Sequence, residues 1–178
     1  MTFSILGRCE RTGAFGIAVT SSSIAVGSRC GRWAAASIGA VATQNITDPS
    51  LGALGLDLLA RGFEAEATLQ QMVNAGAYPA FRQLAVLDRH GRSAYYAGAK
   101  ALGIHTMHRA PNCIASGNLL KHDGVPRALI ERFIAQPERH IGERVLAALR
   151  AGLDAGGEEG PLHGASVYVV DRLAWPLV

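Results

Sequence analysis

The residue with the most chemical potential is Thr2. The chain opens Met1-Thr2-Phe3-Ser4-Ile5. An initiator Met is usually trimmed when the next residue is small, and Thr is small enough. Trimming would leave Thr2 with a free α-amine beside its own hydroxyl. An unperturbed α-amine has a pKa near ~8, so part of the population is neutral at pH 7 and can accept a proton. A hydroxyl is a poor nucleophile until a base stands next to it, and a Thr paired with its own N-terminal amine is one solution. The plain alternative is that Thr2 simply starts a β-strand.

Other polar residues sit where strands end: Ser21, Gln44-Asn45 and Ser116-Gly117-Asn118. Polar groups at such ends cost stability unless they are paired or used. If these ends converge on the N-terminus they make a site. Thr2, Ser21, Gln44 and Asn118 would carry the chemistry, with amide side chains holding an oxyanion. Asn45 would touch substrate, and Gly117 would let it approach the backbone. Taken singly, Gln44 and Asn118 read as loop and cap hydrogen-bonding groups.

Rival chemistries are weaker. His105-x-x-His108 has workable ligand spacing but lies on a Gly/Pro-flanked loop without a nearby carboxylate. No P-loop or dinucleotide fingerprint occurs, and no GxSxG. Arg29 could lower the pKa of Cys30, but a buried thiol is the simpler reading. No metal and no cofactor are expected.

These residues need elements to position them. Phe3 to Gly7 and Phe15 to Ser21 read as a hairpin turned at Gly13. Val26-Gly27-Ser28-Arg29 reads as loop. Ile38 to Gln44 is a third strand, apolar enough for burial on both faces. Asp48 or Ser50 can cap a helix carrying Leu51, Leu54, Leu58 and Leu59 at helical spacing. A second helix spans Glu64 to Asn74. Arg82 to Asp88 and Ser93 to Gly98 make a second hairpin. A loop with Lys100, His105 and His108 leads to a strand over Asn112 to Ser116. Two more helical stripes follow, through Val125 to Ile134 and Ile141 to Leu153, and Ser166 to Asp171 is a last strand. Hairpin, strand and two helices thus occur twice. That order fits an α+β protein in which two antiparallel sheets pack together under helix pairs, a four-layer αββα sandwich.

Composition sets the class. The chain has 178 residues, 49% of them apolar and 17% charged, enough for one domain with a substantial core. Net charge is a mild +3, and the Arg residues are dispersed, so no nucleic-acid partner is expected. No apolar run spans a bilayer and the N-terminus lacks a signal-peptide pattern, so no membrane partner is expected and the location should be cytoplasmic. The 3 Cys are far apart and read as reduced, mostly buried thiols. The partner should be a small-molecule substrate. Exposed sheet edges point to a homodimer.

Taken together, several stretches resemble one family. They are MTFSILGRCERTGAFGIAVTSS at the start, Ala25-Val26-Gly27, GAVATQ over 39–44, RQLAVLDRHGR over 82–92, ASGNLL over 115–120 and RVLAALRAGLDAGG over 144–157. In order and spacing they are similar to the domain-of-unknown-function 1028 family (DUF1028). The resemblance implies the N-terminal-nucleophile (Ntn) hydrolase superfamily, its αββα sandwich, and amide-bond hydrolysis by Thr2. Arg29 is then the weaker candidate for the basic group that depresses the amine pKa, a task proteasome-like relatives give to a Lys. No Lys precedes Lys100 here. Relatives carry Ser-Ala where this chain has Gly164-Ala165, and Thr where it has Ala97. They also continue past Trp175-Pro176, so the chain reads as one domain, 1–178, lacking that extension. The resemblance therefore implies an Ntn-type amidohydrolase cleaving a small amide or peptide-like bond. The alternative is a non-catalytic Ntn-fold protein that binds a small amide or cell-wall-type ligand.

Overall fold

Antiparallel pairing organises this chain, whose computed structural model describes residues 1–173 and 175–178. Strands β1 (Thr2–Arg8) and β2 (Phe15–Ser21) form the N-terminal hairpin, in register from Thr2–Ser21 to Arg8–Phe15. Its turn closes with the Cys9 N–H donating to the Ala14 carbonyl at 2.8 Å, and Gly13 adopts φ +77° there. On its other side β1 pairs with β8 (Cys113–Leu120), so the N-terminal strand is central in its sheet. Beyond these lie β7 (Ile104–Ala110) and β9 (Gly164–Val170), giving the order β7-β8-β1-β2-β9. The second sheet has the order β3-β4-β5-β6, built from Trp33–Ala35, Gly39–Asn45, Arg82–Asp88 and Ser93–Ala97.

The helices are α1 (Val26–Cys30), α2 (Pro49–Ala60), α3 (Ala65–Ala75), α4 (Val125–Ile134) and α5 (Ile141–Asp154). Asp48, not Ser50, caps α2: its carboxylate accepts from the Ser50 N–H at 3.1 Å, with Pro49 preset for the first turn. The result is a mixed α/β fold of two antiparallel sheets with helices.

Strand alternation sends successive residues to opposite faces. Phe3 and Ile5 of β1 pack with Leu129, Phe133, Val145 and Leu149 of α4 and α5. Leu6, Phe15 and Ile17 instead meet Ala40, Ala42, Ala85 and Leu87 of the second sheet. The small Ala side chains let the two sheets approach. Val41, Leu84 and Val86 turn away to pack on Leu51, Leu59, Leu69 and Met72. β1 is therefore buried on both faces, and Thr2 and Ser4 share the face of Leu6.

The helix-side contact is tight at Gly7. A Cβ there would lie 2.4 Å from the Phe133 ring, itself 1% exposed. Gly7→Ala should lower stability by about 1–3 kcal/mol through overpacking. A thermal melt checks this, and an unchanged midpoint would mean that the ring has room to move.

The second hairpin hangs on Asp88. Its Oδ1 accepts from the N–H groups of His90 at 2.8 Å and Arg92 at 3.1 Å, and its Oδ2 from Arg92 Nε at 2.8 Å. Burial pushes this carboxyl up, but the Arg92 guanidinium and the N–H groups of Arg92, His90 and Ala65 outweigh it and hold it below the usual range. A depressed folded pKa contributes stability above the unfolded value, about 3.9 for Asp. That stability is lost as pH falls through the folded value. Asp88→Asn should therefore be less stable than the native chain at neutral pH, with the gap closing in acid, as denaturant titrations across pH 2–7 would read.

Several elements differ from the sequence expectation. Residues 104–110, expected as loop, form β7. An edge strand half-solvated on both faces has no two-residue apolar period to read. Val26-Gly27-Ser28-Arg29 is helical rather than loop, and β3 is too short to leave a pattern. β8 does not stop at Ser116 but continues to Leu120, so Ser116-Gly117-Asn118 lies within the strand. No described helix is long and apolar enough to cross a membrane.

Candidate functional site

The register of three neighbouring strands builds the site. Thr2 on β1 pairs with Ser21 on β2 and with Asn118 on β8, while Ser4 pairs with Ser116. These five side chains are buried between the sheets at the end where the chain begins. Thr2 Oγ1 stands 3.1 Å from Ser21 Oγ. Both hydroxyls donate to one acceptor, the carbonyl oxygen of Met1. The Ser23 N–H in turn donates to Ser21 Oγ at 3.0 Å, fixing that hydroxyl.

Beneath this row the second sheet supplies a buried amide network. Ser4 Oγ donates to Gln44 Oε1 at 2.8 Å. Gln44 Nε2 donates to Gln83 Oε1 at 2.8 Å and to Ser116 Oγ at 3.0 Å. Gln83 Oε1 also accepts from Asn118 Nδ2 at 2.9 Å. Gln83 Nε2 donates to the Tyr95 hydroxyl and the Gly117 carbonyl, each at 2.8 Å. Burial pushes the Tyr95 phenol up while its bond to Gln83 pulls it back; the net direction is upward, so it stays neutral. Gln83 thus uses two donors and two acceptor positions, joining β5 of one sheet to β8 of the other. Asn118 Oδ1 is buried without a partner among the described residues.

A second segment closes over the N-terminus. After α5, the Lys121 N–H donates to the Gly157 carbonyl and the Glu159 N–H to the Leu119 carbonyl. The His163 N–H donates to the Ser21 carbonyl at 2.9 Å. Residues 157–163 therefore bridge the ends of β8 and β2, the two neighbours of Thr2. Gly160 faces the Met1 side chain, whose Cε would lie 2.4 Å from any Cβ there. Thr2 itself is 6% exposed beneath this cover.

The structure brings together Thr2, Ser21 and Asn118, with Gln44 held one layer away through Ser4 and Gln83. It separates the other expected residues. Both Gln44 donors are committed, so Gln44 orders the site rather than holding an oxyanion. Gly117 gives no approach to the backbone: a Cβ there would meet Leu120 and Phe3 on the helix side. Asn45, at φ +71°, accepts from the Leu102 N–H at 3.2 Å and donates to the Phe81 carbonyl, which makes it a loop tie. Arg29 donates to Ser23 Oγ at 2.6 Å and to the Ile24 carbonyl at 2.9 Å, not to Thr2. Among the described residues no cationic side chain hydrogen-bonds to Thr2. Burial outweighs Thr47 and Arg29 at Cys30 and raises its thiol pKa, and all three thiols are free and buried. His105 hydrogen-bonds back to the Gly103 carbonyl, and among the described residues no cluster of three or more His, Cys, Asp or Glu could hold a metal.

Sequence reasoning missed Gln83, Tyr95 and Glu158. Gln83 had a signal: it is the one amide in an otherwise apolar strand, Leu84-Ala85-Val86-Leu87, at the inward parity of Ala85 and Leu87. Glu158, in a Gly-rich stretch after a helix, had none.

Comparison with known proteins agrees with this geometry in fold and extent. The family described as "Family of unknown function (DUF1028)" matches residues 2–178. The crystal structure of protein SPO2555 from Silicibacter pomeroyi, described as DUF1028, superposes with a TM-score of 0.88 at 32% identity. That match covers 96% of this chain and 73% of that one. No curated protein matches.

Proposed function

The chain belongs to the DUF1028 family, and from that premise we propose that it is an amide hydrolase of the Ntn type, with the two sheets and their helices layered αββα. The observation that carries the reading is the Thr2 hydroxyl. It lies at the start of a central strand, beneath residues 157–163 and beside a second hydroxyl, with both donating to a carbonyl oxygen. An oxyanion donor must reach a carbonyl oxygen, as Ser21 does here, and a nucleophile must stand beside the same carbonyl group, as Thr2 does.

Once the residue before Thr2 is removed, the Thr2 α-amine serves as base. Thr2 Oγ attacks the substrate carbonyl carbon and its proton passes to the amine. Ser21 Oγ donates to the developing oxyanion. The C–N bond breaks, the leaving amine takes the proton, and water then cleaves the Thr2 ester to release a carboxylic acid. The Gln44–Gln83–Asn118 network ties β4 and β5 of one sheet to β8 of the other beneath the reaction.

A second reading is favoured by one observation. Arg29 is tied to the Ser23–Ile24 loop, and among the described residues no cationic side chain hydrogen-bonds to Thr2 to take the place of a proteasome-like Lys. On that reading the protein binds a small amide-bearing ligand without cleaving it. Intact mass before and after exposure to a β-lactone separates the two. One stoichiometric adduct on a chain beginning at Thr2 supports the hydrolase, and a trimmed chain that takes no adduct supports the binding protein.

A further inference from the structure

Glu158 is 4% exposed, and neither of its carboxylate oxygens has a partner in hydrogen-bond geometry among the described residues, although the Ser22 N–H and hydroxyl lie close enough to pull on the carboxyl. A buried carboxylate without a partner is costly, so one is retained where a cation will meet it. Its place is set by the backbone. Glu158 bridges to Leu120 at the end of β8, two residues past Asn118, the strand partner of Thr2. Burial pushes its carboxyl up. The positive chain terminus, Ser22 and His163 pull it back without reversing that direction. The crossing of residues 157–163 over the ends of β8 and β2 carries Glu158 in the segment that covers the N-terminus, and no ion pair joins it to the Met1 amine among the described residues.

Met1 shows what such a site can hold. Its carbonyl oxygen accepts from Thr2 and Ser21, and its side chain lies against Gly160, two residues along from Glu158 in the covering segment. An acyl group on the nitrogen of a Thr and one on its Oγ interconvert through a five-membered ring. The aminoacyl group of Met1 therefore stands in for the acyl group that an N-terminal Thr2 would carry as an ester.

We infer that the site takes substrates whose acyl part bears a free α-amino group and a linear apolar side chain, with Glu158 receiving the α-ammonium and Gly160 making room for the side chain. This substrate class rests on the hydrolase reading. Glu158 is the specificity-determining carboxylate, and the reaction is removal of an N-terminal aminoacyl residue from an amide.

The test compares L-methionine p-nitroanilide with its N-acetyl derivative, using the full chain from which Met1 has been removed. The free-amine substrate should have the higher kcat/KM by about 10- to 100-fold, the value of one hydrogen bond to a charged group. In Glu158→Gln that ratio should fall toward one, with the loss falling on the free-amine substrate. Gly160→Ala should lower turnover of the methionine substrate relative to the alanine p-nitroanilide, which gives a second readout if Glu158→Gln misfolds. Equal or faster cleavage of the N-acetyl substrate overturns the inference, as does a labelled enzyme that cleaves neither. An equal loss on both substrates in Glu158→Gln also overturns it, because Glu158 would then be holding the Thr2 amine. Failure of the β-lactone to label Thr2 overturns the hydrolase reading itself, and the inference with it.

Discussion

Thr2→Ala will take no β-lactone adduct and will show no amide hydrolysis above background, while folding as the native chain does. Ala is as small as Thr for removal of the preceding Met, so the variant presents the same free terminus. What it lacks is the hydroxyl. Among the described residues that hydroxyl hydrogen-bonds only with Ser21 Oγ and the Met1 carbonyl, neither of which ties distant elements together. Its loss should therefore cost no more than one ordinary hydrogen bond, about 1 kcal/mol, and leave a sharp melt. Thr2→Ser keeps the oxygen beside the amine and should still be labelled. The measurement is intact mass with site mapping of the adduct, beside a thermal melt. An adduct that persists in Thr2→Ala places the nucleophile elsewhere and ends the Ntn proposal.

Gln83→Leu should be the most destabilising single substitution of the site. It removes the side chain on which three other side chains and one backbone carbonyl depend. Asn118 Nδ2, the Gly117 carbonyl and the Tyr95 hydroxyl lose a bonding partner, and Gln44 Nε2 keeps only Ser116. Each buried group left unpaired costs about 1–3 kcal/mol, and such costs are not additive within one network. A total of about 3–5 kcal/mol is expected, at the top of the usual range for point substitutions. For a chain of this size that corresponds to roughly 6–20 °C in the melting midpoint. Tyr95→Phe is the control: it breaks one bond and should cost about 1 kcal/mol. If Gln83→Leu moves the midpoint no further than Tyr95→Phe, the amides do not act as a unit.

Much of the fold was legible in local pattern. The N-terminal hairpin, the strand over Arg82–Asp88 and the four longer helices each carry a period or a turn residue that forces the assignment within a few residues. The elements that escaped were those with no period: the half-solvated edge strand Ile104–Ala110, the three-residue strand Trp33–Ala35 and the five-residue helix Val26–Cys30. At the site, Thr2, Ser21 and Asn118 were conspicuous as polar residues in apolar strands, and the structure brings the three together. Gly117 was misread, although the signal was present. In Ser116-Gly117-Asn118 a strand can turn only the first and third residues to one face, and Gly117 takes the other.

The sequence by itself determined the element order, the family resemblance and the availability of a Thr beside the chain start. Those follow from short-range pattern, where each residue's neighbours along the chain supply the constraint. Only the tertiary structure decided which polar groups meet. Register placed Thr2 between Ser21 and Asn118, and sheet-on-sheet packing joined Gln83 to Gly117 across 34 residues. The turn of α1 carried Arg29 to the Ser23 loop and away from Thr2. The crossing of residues 157–163 over β2 and β8 brought Glu158 to the N-terminus. Contacts of that kind are set by the positions of whole elements, so no local spacing encodes them.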